Sequence, residues 1–303
     1  MTSLKTIAAA ASILLVLFSG AQALTRDYLD MPDKSKCFTD TIPPNLFLGA
    51  PGAGYAMAMA KQLELMWCIK GAPNAQFSYL DIMCNCPTCA TNVGRPDKGG
   101  NLKSASFFVK EQGLVGGGVG VNKNTSGFTK WPQPQNYKYC LDWMQEDCYP
   151  TSIFGLNKCS GGIKQFKSIL DPQHCPTQCN NGGGEVKNSR SKDLYSSFIE
   201  KQGHQNMMNA LINSPVTGYL QYTENIWFHK NIDVPWTPKG QILGYIEVIY
   251  VGHYDDYKGH GPCWRVMIFG GKLGGDLQSR TIMVKAGQNF KFSEDHGWEI
   301  YKQ

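Results

Sequence analysis

The chain has 303 residues, 42% of them apolar and 17% charged, with a formal net charge of +5. That apolar share can bury a substantial core, as one large domain or as two closely packed lobes. Its Lys and Arg residues are scattered and form no stripe, which sets nucleic acid aside as a partner.

The first stretch reads as a signal peptide. Lys5 supplies a positive start, residues 7–18 (IAAAASILLVLF) form an apolar run too short to span a bilayer, and Ala21-Gln22-Ala23 offers the small residues a signal peptidase reads. Residues 1–23 are therefore expected to be removed, leaving 24–303 as the folded domain, with the charge falling to +4 as Lys5 is lost. No later run is long and apolar enough for a membrane helix, so the expected location is outside the cell or in the lumen of the secretory or endolysosomal pathway.

Residues 55–70 (YAMAMAKQLELMWCIK) are good helix formers with no internal Gly or Pro. Pro51 and Gly52 form a turn into that helix, and its apolar content on nearly every side predicts burial. A second helix is predicted over residues 102–112, stopped by Gly113. Residues 116–184, with two Gly triplets and several Pro residues, read as loop. The last third changes character: residues 216–222, 242–251, 264–269 and 281–285 are short apolar or alternating runs between Gly, Pro and Asp clusters, as antiparallel strands require. Helices first and strands later predict an α+β fold with segregated lobes.

Eleven cysteines in an exported chain read as a disulfide framework, and the odd count leaves at least one without a partner in the monomer. Cys84-x-Cys86-x-x-Cys89 resembles a metal cluster but has no fourth ligand and no histidine nearby. Neither a metal nor a cofactor is expected. Asn124-Thr125-Ser126 is an N-glycosylation sequon.

Several segments resemble one family in order and spacing. Residues 48–57 (LGAPGAGYAM) resemble the papain-family nucleophile motif Q-G-S-C-G-S-C-W-A-F, and Lys98-Gly99-Gly100 resembles its N-G-G turn. Residues 113–117 (GLVGG) are similar to the G-L-V-S-G-G of cathepsin B. Residues 213–218 (NSPVTG), 243–246 (LGYI) and 264–266 (WRV) track the family's N-G-P-V, G-G-H-A and Y-W-L-V segments. Cys148-Tyr149-Pro150 and the Cys175 to Cys179 run resemble cathepsin B's loop cysteines. The resemblance covers most of Cys37 to Asp295. It implies a papain-like two-lobed fold, a helical lobe and an antiparallel β-barrel-like lobe with a cleft between them. It also implies proteolysis, if the catalytic groups are present.

They are not. Such an enzyme needs a thiolate at the head of the long buried helix, a histidine to shuttle the proton and an amide to orient the imidazole. The resemblance places these three at Gly54, Ile246 and Ile268, and the oxyanion-stabilising Gln at Leu48. Residues 51–61 contain no Cys, Ser or Thr, residues 241–252 no His, and residues 264–275 no Asn, Gln, Asp or His. His253 stands seven residues beyond Ile246, which puts it on the opposite face of the strand if that strand is unbroken. The family's inhibitory prosegment and cathepsin B's His-His pair are also expected to be absent; the Cys148 to Cys179 stretch holds only His174.

The resemblance further implies Cys37–Cys68, Cys84–Cys175, Cys86–Cys89 and Cys148–Cys179 bridges. Cys140–Cys159 would then pair from what is left, with Cys263 free or linking a second chain. Gly99 and Gly100 either present main chain to an extended peptide or are kept for the turn alone. A side chain at Gly100 would then enter the groove. Gly54 leaves bare helix N–H groups that suit an anion, unless Tyr55 or Leu48 covers them. Tyr55, Tyr245 and Trp264 are cleft lining or core. Three functions stay open: a secreted peptide-binding or decoy module using the remnant cleft, a disulfide-stapled structural or matrix protein, and an enzyme with a relocated site.

Overall fold

In the computed structural model, residues 26–38 (without 32, 34), 54–71 (without 70), 77–91, 99–116, 148–150, 157–159, 177–179, 184–191, 204–229 (without 224, 227, 228), 233–268 and 280–286 are described. They form an α+β fold. Helices α1 (Gly54–Ile69), α2 (Tyr79–Asn85), α3 (Leu102–Gln112) and α4 (His204–Leu211) accompany a five-stranded antiparallel sheet. The sheet comprises β1 (Arg26–Asp27), β4 (Val216–Thr223), β5 (Ile242–Tyr254), β6 (Cys263–Ile268) and β7 (Arg280–Lys285), and a separate pair joins β2 (Cys148–Pro150) to β3 (Asn157–Cys159).

Local chemistry sets the helix ends. Asn101 caps α3, its side-chain oxygen accepting from the Lys103 and Ser104 amides at 2.7 and 3.3 Å, and Gly113 closes the helix at φ 76°. Ser78 caps α2 by accepting from the Asp81 amide at 3.3 Å. Sequence patterning passes over α2, whose seven residues are too few for a clear period, and over α4, which a turn separates from β4. Neither helical nor strand signal marks β1, two residues long, which adds to the end of β5 with Arg26 opposite His253.

Strand β5 is the centre. It pairs with β4 over most of its length and with β6 over its second half. Its side chains alternate between two cores. Ile249 and Val251 join the buried faces of α1, α2 and α3, while Val248 and Tyr250 join Trp236, Trp264, Ile268 and Val284 on the other face. No helix among the described residues is long and apolar enough to cross a membrane.

Three polar locks tie distant segments. Gln62 of α1 donates to the Pro215 carbonyl at 2.7 Å and accepts from Thr217 at 3.1 Å, fixing the helix to β4. Asp81 forms a two-point pair with Arg190, at 2.8 and 3.1 Å, and also accepts from the Val115 amide. Asp27, whose side chain is fully buried, accepts from Arg265 and Tyr254 at 2.8 and 2.7 Å and from the Leu29 amide at 2.8 Å. Gly252 permits that approach, since a Cβ there would stand 2.6 Å from the Asp27 carboxyl carbon.

Cys37–Cys68 and Cys86–Cys89 bridges form as the family pattern implies. Cys84 and Cys179 are disulfide-bonded too. With all three sulfurs of the Cys84-x-Cys86-x-x-Cys89 run oxidised, no thiolate is left there for a metal. Cys263 is a free thiol, fully buried beside Tyr257 and Met283, and burial pushes its pKa up to about 11. A bridge from it to another chain would require β6 to open first. Cys140 and Cys175 lie outside the described residues; Cys148 and Cys159 are register partners across β2 and β3.

Replacing Arg265 with Ala should destabilise the protein by about 3–5 kcal/mol, because it strands the buried Asp27 carboxylate. R265K should recover only part of this, lacking the second nitrogen that approaches Asp30 at 3.8 Å. Urea denaturation of both variants measures it; a loss near zero for R265A would show that Asp27 is neutral in the fold.

Candidate functional site

The site begins at the head of α1. Gly54 is the helix's first residue and is buried. Helix amides of the first turn have no partner within the helix, and the dipole makes this end positive. Directly in front stands the carboxyl group of Glu247 on β5. A Cβ built on Gly54 would overlap Glu247 Oε2 and lie 3.1 Å from its carboxyl carbon.

Alternation along β5 explains which residue faces the helix. Glu247, Ile249 and Val251 share a face, and the last two pack in the core with α1. Ile246 points the other way: its register partner is the fully buried Leu220, and it packs against the second core. Ile268, opposite Val248, is fully buried in that same second core. The motif-derived positions Ile246 and Ile268 therefore sit together on one face, with the sheet between them and Gly54. The residue that meets Gly54 is one place further along, and the motif pattern missed it. A signal was present: Glu247 is the only charged residue of an otherwise apolar run, 242–251.

His253 does not follow the expected alternation. The register shifts between Tyr250 and Gly252, and the imidazole stacks on Trp264 with ring centroids 4.4 Å apart. It is 2% exposed and belongs with the second core. A bulge has moved it to the face that an unbroken strand would have denied it.

Glu247 is partly buried, and burial pushes its carboxyl up to about 7. Its cross-strand partner is Tyr219, whose hydroxyl accepts from the Leu102 amide at 3.0 Å, at the start of α3. Burial foremost, with the Glu247 charge adding, holds the Tyr219 phenol well above its ordinary range. Two helix starts, α1 and α3, thus converge on one pair of cross-strand side chains.

Gly99 and Gly100 lie beside this centre. Gly99 has φ 117°, which favours glycine. The Gly99 carbonyl accepts from the Thr91 amide at 3.0 Å and the Asn101 amide donates to the Cys89 carbonyl at 2.7 Å, around a bridge between Ala90 and Gly100. In that alternating pattern Gly100's own N–H and C=O point to the opposite side. Its α-carbon is backed by Tyr55: a Cβ at Gly100 would overlap the ring, with the nearest carbons at Cδ1 and Cε1. A side chain at Gly100 would therefore strike the core and not enter a groove, contrary to the expectation from sequence. Tyr55 and Trp264 are fully buried, so both belong to the core, whereas Tyr245 is partly exposed opposite Gln221. Leu48 and Asn124 lie outside the described residues. Among the described residues no group of three His, Cys, Asp or Glu side chains could hold a metal.

No protein-family profile matches the chain, and no curated protein matches it in sequence. Among solved structures it is similar to proCathepsin B S9 from Trypanosoma congolense, at 15% identity and TM-score 0.49 over 87% of this chain and 71% of that one. It is also similar to the bromelain protease from Ananas comosus, at 16% identity and TM-score 0.46 over 86% and 89%. Xylellain, a cysteine protease from Xylella fastidiosa, matches at 17% identity and TM-score 0.41 over 86% and 85%.

Two outcomes test the site. The native state should keep a proton on Glu247 that the unfolded chain has released, so stability should fall as pH rises from about 4.5 to 7 and then level off. Glu247→Gln should remove up to about 3 kcal/mol of that slope in urea denaturation at pH 4.5 and 8, and an unchanged slope would place the group in water. Gly100→Ala should cost about 2–3 kcal/mol by overpacking against Tyr55, read in the same denaturation.

Proposed function

We propose that this protein is a secreted, non-catalytic member of the cathepsin B-like branch of the papain family that binds extended peptide in the remnant of a substrate cleft. The order and spacing of the motif segments support the lineage. The observation that carries the functional reading is the meeting of Gly54 with Glu247: the head of α1 bears no nucleophile, and the group in front of it is a carboxyl. A carboxyl there cannot act as thiolate, and a lone acid without an oriented nucleophile or a positioned donor does not make an acyl-transfer site. Peptide binding is supported by Gly100, whose N–H and C=O point away from the Ala90 bridge, the direction from which main-chain hydrogen bonds of an added strand would come. Disulfides and the N-terminal apolar stretch support export.

Burial of the free Cys263 weighs against the covalent link through that residue on which the structural or matrix reading drew. An enzyme with a relocated site finds no metal-holding group of three His, Cys, Asp or Glu side chains among the described residues.

Purified protein should cleave no member of a broad fluorogenic peptide library and should not react with epoxide probes of cysteine proteases. Extended peptides from that library should bind intact, and N-methylation of the ligand's central amide should weaken binding at least tenfold, because it removes a main-chain donor. Turnover that a single substitution abolishes would overturn the non-catalytic reading; absence of any peptide binding would overturn the cleft reading.

A further inference from the structure

Among the described residues, the neighbours of Glu247 at the head of α1 are held fast. Tyr55 is fully buried behind Gly100, and Tyr219 is tied through its hydroxyl to the Leu102 amide. The backbone of β5 is fixed by register pairing on both sides, with Glu247 opposite Tyr219 and Val248 opposite both Gly218 and Ile268. Glu247's side chain is the exception. None of the ion pairs among the described residues involves it, and the hydrogen bond recognised for its carboxyl is to its own backbone amide. It is a long side chain with three rotatable bonds, anchored only at its root.

Its position is specific. Glycine is the one residue type with no Cβ, and at position 54 a Cβ would overlap Oε2 and approach the carboxyl carbon to 3.1 Å. The carboxyl of Glu247 thus takes up the space that a side chain at position 54 would occupy, and a Cβ there would force it to shift. Resting on the cleft reading above, we propose that Glu247 is an autoinhibitory plug, whose carboxyl group fills the space in front of the head of α1 and shuts that point to a ligand until the side chain swings away. Binding along Gly100 would proceed with the plug in place. Contact with the first turn of α1 would require its rotation.

A thiol introduced at position 54 reads the plug directly. In G54C the new side chain competes with Glu247 for one space, so alkylation of that position by iodoacetamide, followed by mass spectrometry of the peptide that contains it, should be slow. In G54C/E247A it should be at least tenfold faster. G54C/E247Q separates bulk from charge, since the amide keeps the shape and drops the charge. A plug leaves it slow, whereas a rate equal to that of the Ala double variant overturns the proposal, as do equal rates in G54C and G54C/E247A. Should G54C fail to fold, G54A serves in its place. It should lower the melting temperature by about 5 °C with Glu or Gln at position 247 and hardly at all with Ala. Equal losses in all three backgrounds overturn the plug. Failure of the cleft reading would appear separately, as no peptide binding by either the native protein or E247A, while alkylation still followed the residue at position 247.

Discussion

The packing of helix α1 on one face of strand β5 is the contact on which the rest depends. The helix is apolar on nearly every side, and from Gly54 to Ala60 every residue is buried. A helix of that kind cannot lie on a surface and has to be enclosed. Helices α2 and α3 and the sheet face of Ile249, Val251 and Met267 enclose it together. β5 in turn needs its second face covered, and Trp236, Trp264 and the residues of α4 cover it. One strand thus divides its side chains between two cores, and neither core closes without it.

Burial of so much apolar surface leaves few places for charge, and the charges that enter are paired. Asp27 with Arg265 and Asp81 with Arg190 each join segments far apart in sequence. Such pairs give little net stability over an apolar substitute, yet removal of one member is costly because the other cannot regain water. They act as registration devices: Asp27 holds the N-terminal strand against β5 and β6, and Asp81 holds α2 to the 184–191 segment. Glu247 departs from this pattern. It is partly buried with no cationic partner among the described residues, and its carboxyl gives way toward the neutral form.

The site is shaped by two glycines used for close approach. Gly54 admits a carboxyl where a side chain would otherwise stand, and Gly100 admits the face of a tyrosine ring. In both cases the missing Cβ serves packing within the protein. At Gly100 the Cβ direction is closed by Tyr55, while the residue's own N–H and C=O point away from the bridge to Ala90.

Sequence alone determined the elements whose signal is local. Residues 55–70 and 102–112 announced α1 and α3 through composition, capping and a terminal Gly, and four alternating runs announced β4 to β7, because side-chain periodicity is written along the chain itself. The Cys37–Cys68 and Cys86–Cys89 bridges followed from a pattern match. The emptiness of Gly54 was also legible, since no nucleophile occurs between residues 51 and 61. Tertiary structure alone decided what stands opposite it. A motif aligned by spacing selected Ile246, but a shift of one residue in a strand turns a side chain to the other face, and only the packed position of α1 against β5 fixes which of Ile246 and Glu247 looks toward the helix. The same holds for His253, moved by a bulge that no residue type announces, and for Gly100, whose close neighbour Tyr55 is 45 positions away. Contacts of that kind arise from the closing of two cores around one strand, and their geometry exists only once both are closed.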